Sequence, residues 1–182
     1  MSIAIERITQ QGVSQPGMCQ PGMTQMDGQG DQFLTFVLGG GEYGVDILRV
    51  QEIKGWDVVT PLPNTPDYMR GVINLRGVIV PIIDLRCRFG MARIELSKTT
   101  VVIVLKVHDE RGERTMGFVV DAVSDVYSIS DSQLRPPPDI CGTGQTNFVK
   151  SLATVDGKMI VLLDIDRLAA DQFASLTAVP NS

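Results

Sequence analysis

Few residues in this chain could carry chemistry. The sole histidine, His108, lies in the charged run HDERG. A Ser-His-Asp or Cys-His catalytic group would have to be built on that one imidazole. A metal site there needs a second ligand, and Asp109 and Glu110 are consecutive residues that point apart. His108 is therefore expected in a hairpin turn, facing water. Cys19, Cys87 and Cys141 are odd in number, far apart and form no C-x-x-C. That spacing argues against a zinc site or a disulfide framework and fits a reducing compartment. No phosphate loop of the form G-x-x-x-x-G-K-[ST] is present. Gly142-Thr143-Gly144 lacks the lysine, and no helix is expected after Gly39–Gly41. No cofactor and no metal are expected. Asp84, Asp121, Asp125 and Asp164 each end an apolar run, which reads as capping or turn formation. A hydrolase built on paired carboxylates would need two of them facing across a cleft, which spacing alone does not establish. Arg70, Arg76, Arg86, Arg88 and Arg93 form a loose basic group. They read either as solvated turn positions or as a protein-docking patch, since the guanidinium fork suits interfaces.

Charge narrows the partners. Sixteen Lys and Arg stand against 21 Asp and Glu, a net charge of −5, so nucleic acid, which needs clustered cations, is not expected. No run of about 18 apolar residues exists to cross a bilayer, and MSIAIERITQQGVSQ lacks the basic and apolar regions of a secretory signal. A cytoplasmic location without membrane insertion follows as the expectation. Hydrophobic residues make up 43% of the 182 residues but aromatics only 5%, so Val, Ile and Leu must supply the core. Val and Ile favour strands, and the predicted class is mainly β.

These side chains need elements to hold them. Residues 1–31, with QPGM occurring twice, are dominated by Gln, Gly, Pro and Met without periodicity; they read as a disordered tail. Phe33–Leu38 and Tyr43–Ile47 flank Gly39–Gly41 as a hairpin. Leu48–Ile53 fits a helical turn or a bent strand, and Trp56–Thr60 is a further candidate strand before the proline-rich PLPNTPDY. Met69–Leu75 and Val78–Leu85 form a hairpin about Arg76-Gly77, with Pro81 arguing for an edge or a bulge. Thr100–Val107 is a strand apolar on both faces, returning through Arg114–Asp121. Val123–Ile129 is another candidate strand. Asn147–Val155 and Lys158–Leu163 join at Asp156-Gly157, and Asp164–Leu176 carries a helical period.

An internal repeat is the best structural clue. RGVIVPIIDL (76–85) lies over DGKMIVLLDI (156–165), matching Gly77 to Gly157 and Asp84 to Asp164 at an offset of 80. YGVDILRVQEI (43–53) lies over MGFVVDAVSDV (116–126), matching Gly44 to Gly117 and Val50 to Val123 at an offset of 73. A duplicated β-unit implies two similar small barrels side by side with a groove between them.

FLTFVLGGGEYGVDILRVQEI (33–53), PLPNTPDYMRGVINLRGVIVPIIDLRCRFG (61–90) and MGFVVDAVSDVYSI (116–129) resemble the CheW family of chemotaxis coupling proteins. The same module is the regulatory domain of the histidine kinase CheA and the front half of CheV. The resemblance spans about residues 32–170, and the run G-V-I-N-L-R-G-x-x-x-P-x-x-D-L-R is its specific part. It implies a CheW-like domain over 32–176: two five-stranded SH3-like β-barrels, the first about 32–92 and the second about 97–163, then a C-terminal helix about 164–176. It implies no enzymatic activity. The partners it implies are the regulatory domain of CheA, the cytoplasmic hairpin tip of chemoreceptors in membrane-associated arrays, and other CheW-like domains. The absence of a kinase, phosphotransfer or receiver domain favours a free-standing coupling protein, of flagellar chemotaxis or of another chemosensory kinase pathway. An enzyme or ligand sensor on the same scaffold is the competing class, since fold does not fix function. The partner-binding residues carried over are Val50 and Glu52; Arg70, Gly71, Asn74, Arg76 and Gly77; and Val101 and Val102, from a strand expected to line the groove between barrels. The resemblance does not divide them between kinase and receptor. One departure stands out: the family's F-x-x-G pattern is broken at Phe148, which is followed by Val149, Lys150 and Ser151.

Deleting residues 1–28 is expected to leave the melting midpoint within a degree or two of the full chain, because a segment that packs on nothing contributes little stability. A drop of many degrees in a calorimetric scan would show that the tail is packed.

Overall fold

A computed structural model describes residues 30–138 and 148–170. The chain order is β1 (Gly30–Leu38), β2 (Gly41–Asp46), a single 3-10 turn (Ile47–Arg49), β3 (Val50–Gly55), β4 (Met69–Leu75), β5 (Val78–Asp84), α1 (Leu85–Arg88), β6 (Val101–Asp109), β7 (Gly112–Val120), β8 (Ala122–Ser130), β9 (Leu134–Arg135), β10 (Val149–Val155) and β11 (Lys158–Leu163). Residues 165–170 are helical and form α2. The expected tail lies outside the described residues, apart from Gly30 and Asp31, which already belong to β1. Positions 171–176 of the expected helix also lie outside them.

Two sheets form, in the orders β8-β1-β2-β11-β10-β9 and β3-β6-β7-β5-β4. We call them barrels A and B. They do not follow the expected division of the chain near residues 92–97. Hairpin β1–β2 of the first repeat sits among strands of the second, and hairpin β6–β7 of the second sits among strands of the first. The joints are two parallel contacts, Gly44 opposite Leu162 and Gly117 opposite Ile82. These are the same two positions of the repeat, crosswise. A Cβ on Gly44 would stand 2.8 Å from Leu162 Cδ2, and one on Gly117 would stand 2.5 Å from Ile82 Cδ1. Both glycines are there for close approach.

The exchange explains the burial pattern. On β6, Val102 and Val104 point into barrel B with Val80, Ile82 and Val119, while Ile103, Leu105 and Val107 point into a core shared by both barrels. Strand side chains alternate between faces, so a strand between two cores reads as a continuous apolar run. The shared core also takes Phe36 and Leu38 of β1, Phe118 of β7, and Ile165 and Leu168 of α2.

The matching turns are of one kind. Arg76 and Gly77 have φ of 52° and 86°, and Asp156 and Gly157 have 51° and 76°, the doubly left-handed type I′ hairpin. Pro81 departs from expectation, because β5 is interior to its sheet. Its partner Val72 spends its N–H and C=O on Thr60, at 2.8 and 2.9 Å. The Val72–Pro81 pair is thus non-hydrogen-bonded, and the missing N–H falls on the β7 side just before pairing begins at Ile82. Leu48–Ile53 combines both open alternatives, a 3-10 turn and then a strand. Trp56–Thr60 forms no strand; only Thr60 bridges, to Val72. His108 lies in β6 rather than in the turn.

Each repeat ends in an aspartate with the same main-chain bond: Asp84 N–H to Tyr68 O and Asp164 N–H to Phe148 O, both 2.7 Å. Asp84 caps α1 by accepting from the N–H groups of Arg86 and Cys87. Beyond each cap an ion pair reaches the residues that follow a hairpin of the other repeat. Arg86 donates to both oxygens of Asp121, at 2.7 and 2.6 Å, and Asp121 also accepts the N–H of Gly39. At the matching place, Asp166 of α2 pairs with Arg49 at 2.9 Å and accepts the N–H of His108 at 2.7 Å. The two clasps share a position but have opposite signs. The supposed basic group is dispersed: Arg70, Arg76, Arg86 and Arg93 each have a carboxylate partner, and Arg88 lies over the Tyr68 and Phe148 rings.

The hydrogen bond from Arg86, supported by that from Gly39, holds the Asp121 carboxyl below its ordinary value. A lowered folded-state value means that the contribution is complete above the unfolded-chain value of about 3.9 and is lost as pH falls through the folded one. Asp121→Asn should therefore destabilise at pH 7 by about 1.5–3 kcal/mol, the range for hydrogen bonds to charged groups. The difference from the wild type should shrink in urea titrations taken below about pH 4. A gap that stays constant into acid would assign the loss to packing instead of charge.

Candidate functional site

Barrel B carries a groove of about 470 Å³ walled by consecutive residues Val50, Gln51 and Glu52 of β3, by the β4–β5 hairpin at Leu75, Arg76 and Val78, and by Lys106 and Thr115. Three adjacent residues of one strand share a wall because the β3–β6 register shifts between Val50 and Glu52; a bulge re-aims side chains that would otherwise alternate. Thr115 Oγ1 donates to Gln51 Oε1 at 3.0 Å across the floor. At the end of the floor, Lys106 bonds to Glu113 at 2.8 Å and thereby holds that exposed carboxyl below its usual range.

The hairpin tip is built to present Arg76. Asn74 Oδ1 accepts the N–H of Gly77 at 2.8 Å, and the type I′ turn fixes the backbone. The Arg76 side chain is 83% exposed, yet its Nη2 lies 3.4 Å from Glu52 Oε2. Beside it Val78 and Ile79 are 55% and 60% exposed. A charged fork on a stiff turn beside uncovered apolar surface is suited to docking a protein. Among the described residues no group of three or more His, Cys, Asp or Glu could hold a metal ion.

The nine expected site residues separate by position. Val50, Glu52 and Arg76 meet in the groove, and Asn74 and Gly77 shape its rim. Arg70 instead faces away to Asp84, donating through Nε at 2.8 Å, and this pair braces the α1 cap. Gly71 has φ of 139°, and a Cβ there would stand 2.2 Å from Thr60 O, so its role is to let the bridge at Thr60 close. Val101 is half-buried where β6 starts. Val102 is 2% exposed within the barrel B core and offers a partner no surface. The expectation that this strand lines a groove between barrels is therefore corrected for Val102: the strand is apolar because two cores flank it. Beside the shared core stands an aromatic row. Phe36 stacks on Tyr43, Tyr43 lies 5.8 Å from Phe89, and Phe89 stacks on Phe148 at 4.7 Å.

The family model described as CheW-like domain matches residues 32–173. The chain belongs to the CheW-like domain family. A protein of Klebsiella aerogenes named Chemotaxis protein CheW is 48% identical over 147 residues, covering 81% of this chain and 86% of that protein. Its namesake in Bacillus subtilis is 28% identical over 152 residues, covering 84% and 94%. Among solved structures, the scaffolding protein TtCheW from Thermoanaerobacter tengcongensis superposes with a TM-score of 0.68 at 35% identity, covering 74% of this chain and 89% of that one. The fold is accordingly the mainly β CheW-like domain with two SH3-like barrels.

Within this CheW-like domain, sequence reasoning missed Gln51, Thr115, Lys106 and Val78. Of these only Val78 had a signal, the alternation along β5 that puts Val78 and Val80 on one face. The broken F-x-x-G pattern also finds its place. Ser151 corresponds to Gly71 at the offset of 80, and β10 is bulged there between Val149 and Ser151 as β4 is between Met69 and Gly71. Barrel A thus keeps the bulge without the glycine, with the Ser151 hydroxyl buried and unbonded among the described residues.

Gly71→Ala should cost about 3 kcal/mol or more, combining left-handed strain with a backbone clash. Chemical denaturation would measure it. If Gly71→Ala keeps its stability and loses only partner affinity, the glycine belongs to the docking surface and not to the Thr60 bridge.

Proposed function

We propose that this chain is a non-catalytic scaffold that couples the cytoplasmic tips of chemoreceptors to the histidine kinase CheA, working in the cytoplasm at membrane-associated arrays. What carries the reading is the Arg76–Glu52 pair over the barrel B groove, in a chain whose relatives are named Chemotaxis protein CheW. Among the described residues no helix is long and apolar enough to cross a membrane, so such a chain reaches an array by binding protein.

The mechanism is one of positioning. A kinase domain or a receptor hairpin docks its apolar ridge against Val78 and Val50, and Arg76 supplies directional hydrogen bonds at the edge. Glu52 holds the guanidinium near its working geometry, so less side-chain entropy is lost on binding. An exposed ion pair contributes no more than about 1 kcal/mol to folding, which leaves it free to serve the complex. Asn74 and Gly77 act through the turn, as positioning residues. Arg70 and Gly71 act through the cap and the bridge behind it.

Arg76→Ala should change folding stability by no more than about 0.5 kcal/mol, as exposed substitutions usually do. Loss of a desolvated interface arginine costs about 2 kcal/mol, which weakens assembly with CheA and receptor fragments about thirtyfold and lowers receptor-stimulated kinase activity. Calorimetric melting beside a binding titration decides it. Unchanged binding by a folded Arg76→Ala protein would remove the groove from the coupling surface.

A further inference from the structure

The two clasps differ in one respect that the coupling function does not use. The Arg86–Asp121 clasp is completed by the backbone N–H of Gly39. The Arg49–Asp166 clasp contains an imidazole. Arg49 Nη1 is in hydrogen-bond contact with His108 Nδ1, while its Nη2 bonds to Asp166 Oδ2 at 2.9 Å. A guanidinium can only donate, so Nδ1 must act as the acceptor. In the tautomer that makes this bond the ring proton sits on Nε2, which faces Glu113 Oε2 at 3.4 Å.

We propose that His108 makes this clasp a pH-sensitive latch on the binding strand: neutral, it holds Arg49 and the 3-10 turn in place; protonated, it releases them. A proton on Nδ1 removes the acceptor and sets a cation against the Arg49 guanidinium. The new N–H then faces Asp166 Oδ1, 4.0 Å away, and competes with Arg49 for that carboxylate. The charged groups around the ring are Arg49 from the 3-10 turn, Asp166 from α2, Glu113 from β7 and, through Glu113, Lys106 from β6. Two carboxylates and two cations thus face the ring, and imidazole as a class is the side chain that serves as a proton switch. The side chain is half-exposed, so protons have access. The mechanical link is short. Leu48, 85% exposed, sits in the same turn, and Arg49 is followed directly by Val50, which pairs with Leu105 of β6 in the bulged register. Loosening Arg49 therefore reaches the Val50–Glu52 wall first.

That the latch bears on coupling rests on the reading of Val50 and Glu52 as contact residues. The latch itself is read on the full chain alone, so the two ideas fail separately. His108 is the only histidine, and its ring resonances in an NMR titration are unambiguous. The expected results are the Nε2–H tautomer at high pH and backbone amides of Leu48–Val50 that move along the same titration curve as the ring. In Arg49→Gln, which has no guanidinium to release, the ring still titrates but the amides no longer follow it. His108→Gln abolishes the amide response. Amides that stay still through the ring titration of the wild type would overturn the proposal. So would amides that follow the ring equally in Arg49→Gln, since they would report only the field of the new charge. The Nδ1–H tautomer at high pH would overturn it as well.

Discussion

The close approach of β2 to β11 and of β7 to β5 is the constraint on which the rest of the structure depends. At each contact a glycine faces a branched side chain, Gly44 against Leu162 and Gly117 against Ile82. Without those two gaps the hairpins could not be handed across, and each barrel would have to close from its own half of the chain. With them, β1, β6 and β7 lie between cores, and one apolar cluster runs from Phe36 to Phe118 and Leu168. The barrels therefore share their interior and are not free to move as independent domains.

That constraint also determines how far a linear reading could go. The repeat, the hairpin about Gly77, its match about Gly157 and the continuous apolar run of β6 all follow from local physics, namely turn chemistry, alternation and composition. The grouping of strands does not, because a strand carries no label for its partner. Gly44 and Gly117 were aligned from sequence, but that glycine meant close packing and not a turn became visible only once Leu162 and Ile82 stood opposite. Pro81 misled for a similar reason: its tolerance in an interior strand depends on where Val72 directs its own hydrogen bonds.

The candidate site was legible in part. Arg76 is distant in sequence from Val50 and Glu52, and their meeting requires both the bulge in β3 and the I′ turn. Resemblance supplied the residues, and the structure sorts them into those that face the groove and those that hold its frame. Arg70 and Gly71 sit behind the surface, where change would act on folding first. Lys106 and Thr115 had no signal of their own, since a polar residue on an exposed strand face is ordinary.

The reversed signs of the two clasps have a consequence for how the halves recognise each other. In a hypothetical pairing of two first halves, Arg86 of one would meet Arg49 of the other. In a pairing of two second halves, Asp166 would meet Asp121. Both homotypic unions place like charges at a partly buried joint, while the heterotypic union places opposite charges at both. The duplicated unit has thus acquired polarity, like a plug and socket cut from one mould, and a half that escapes its own partner meets electrostatic opposition from its twin.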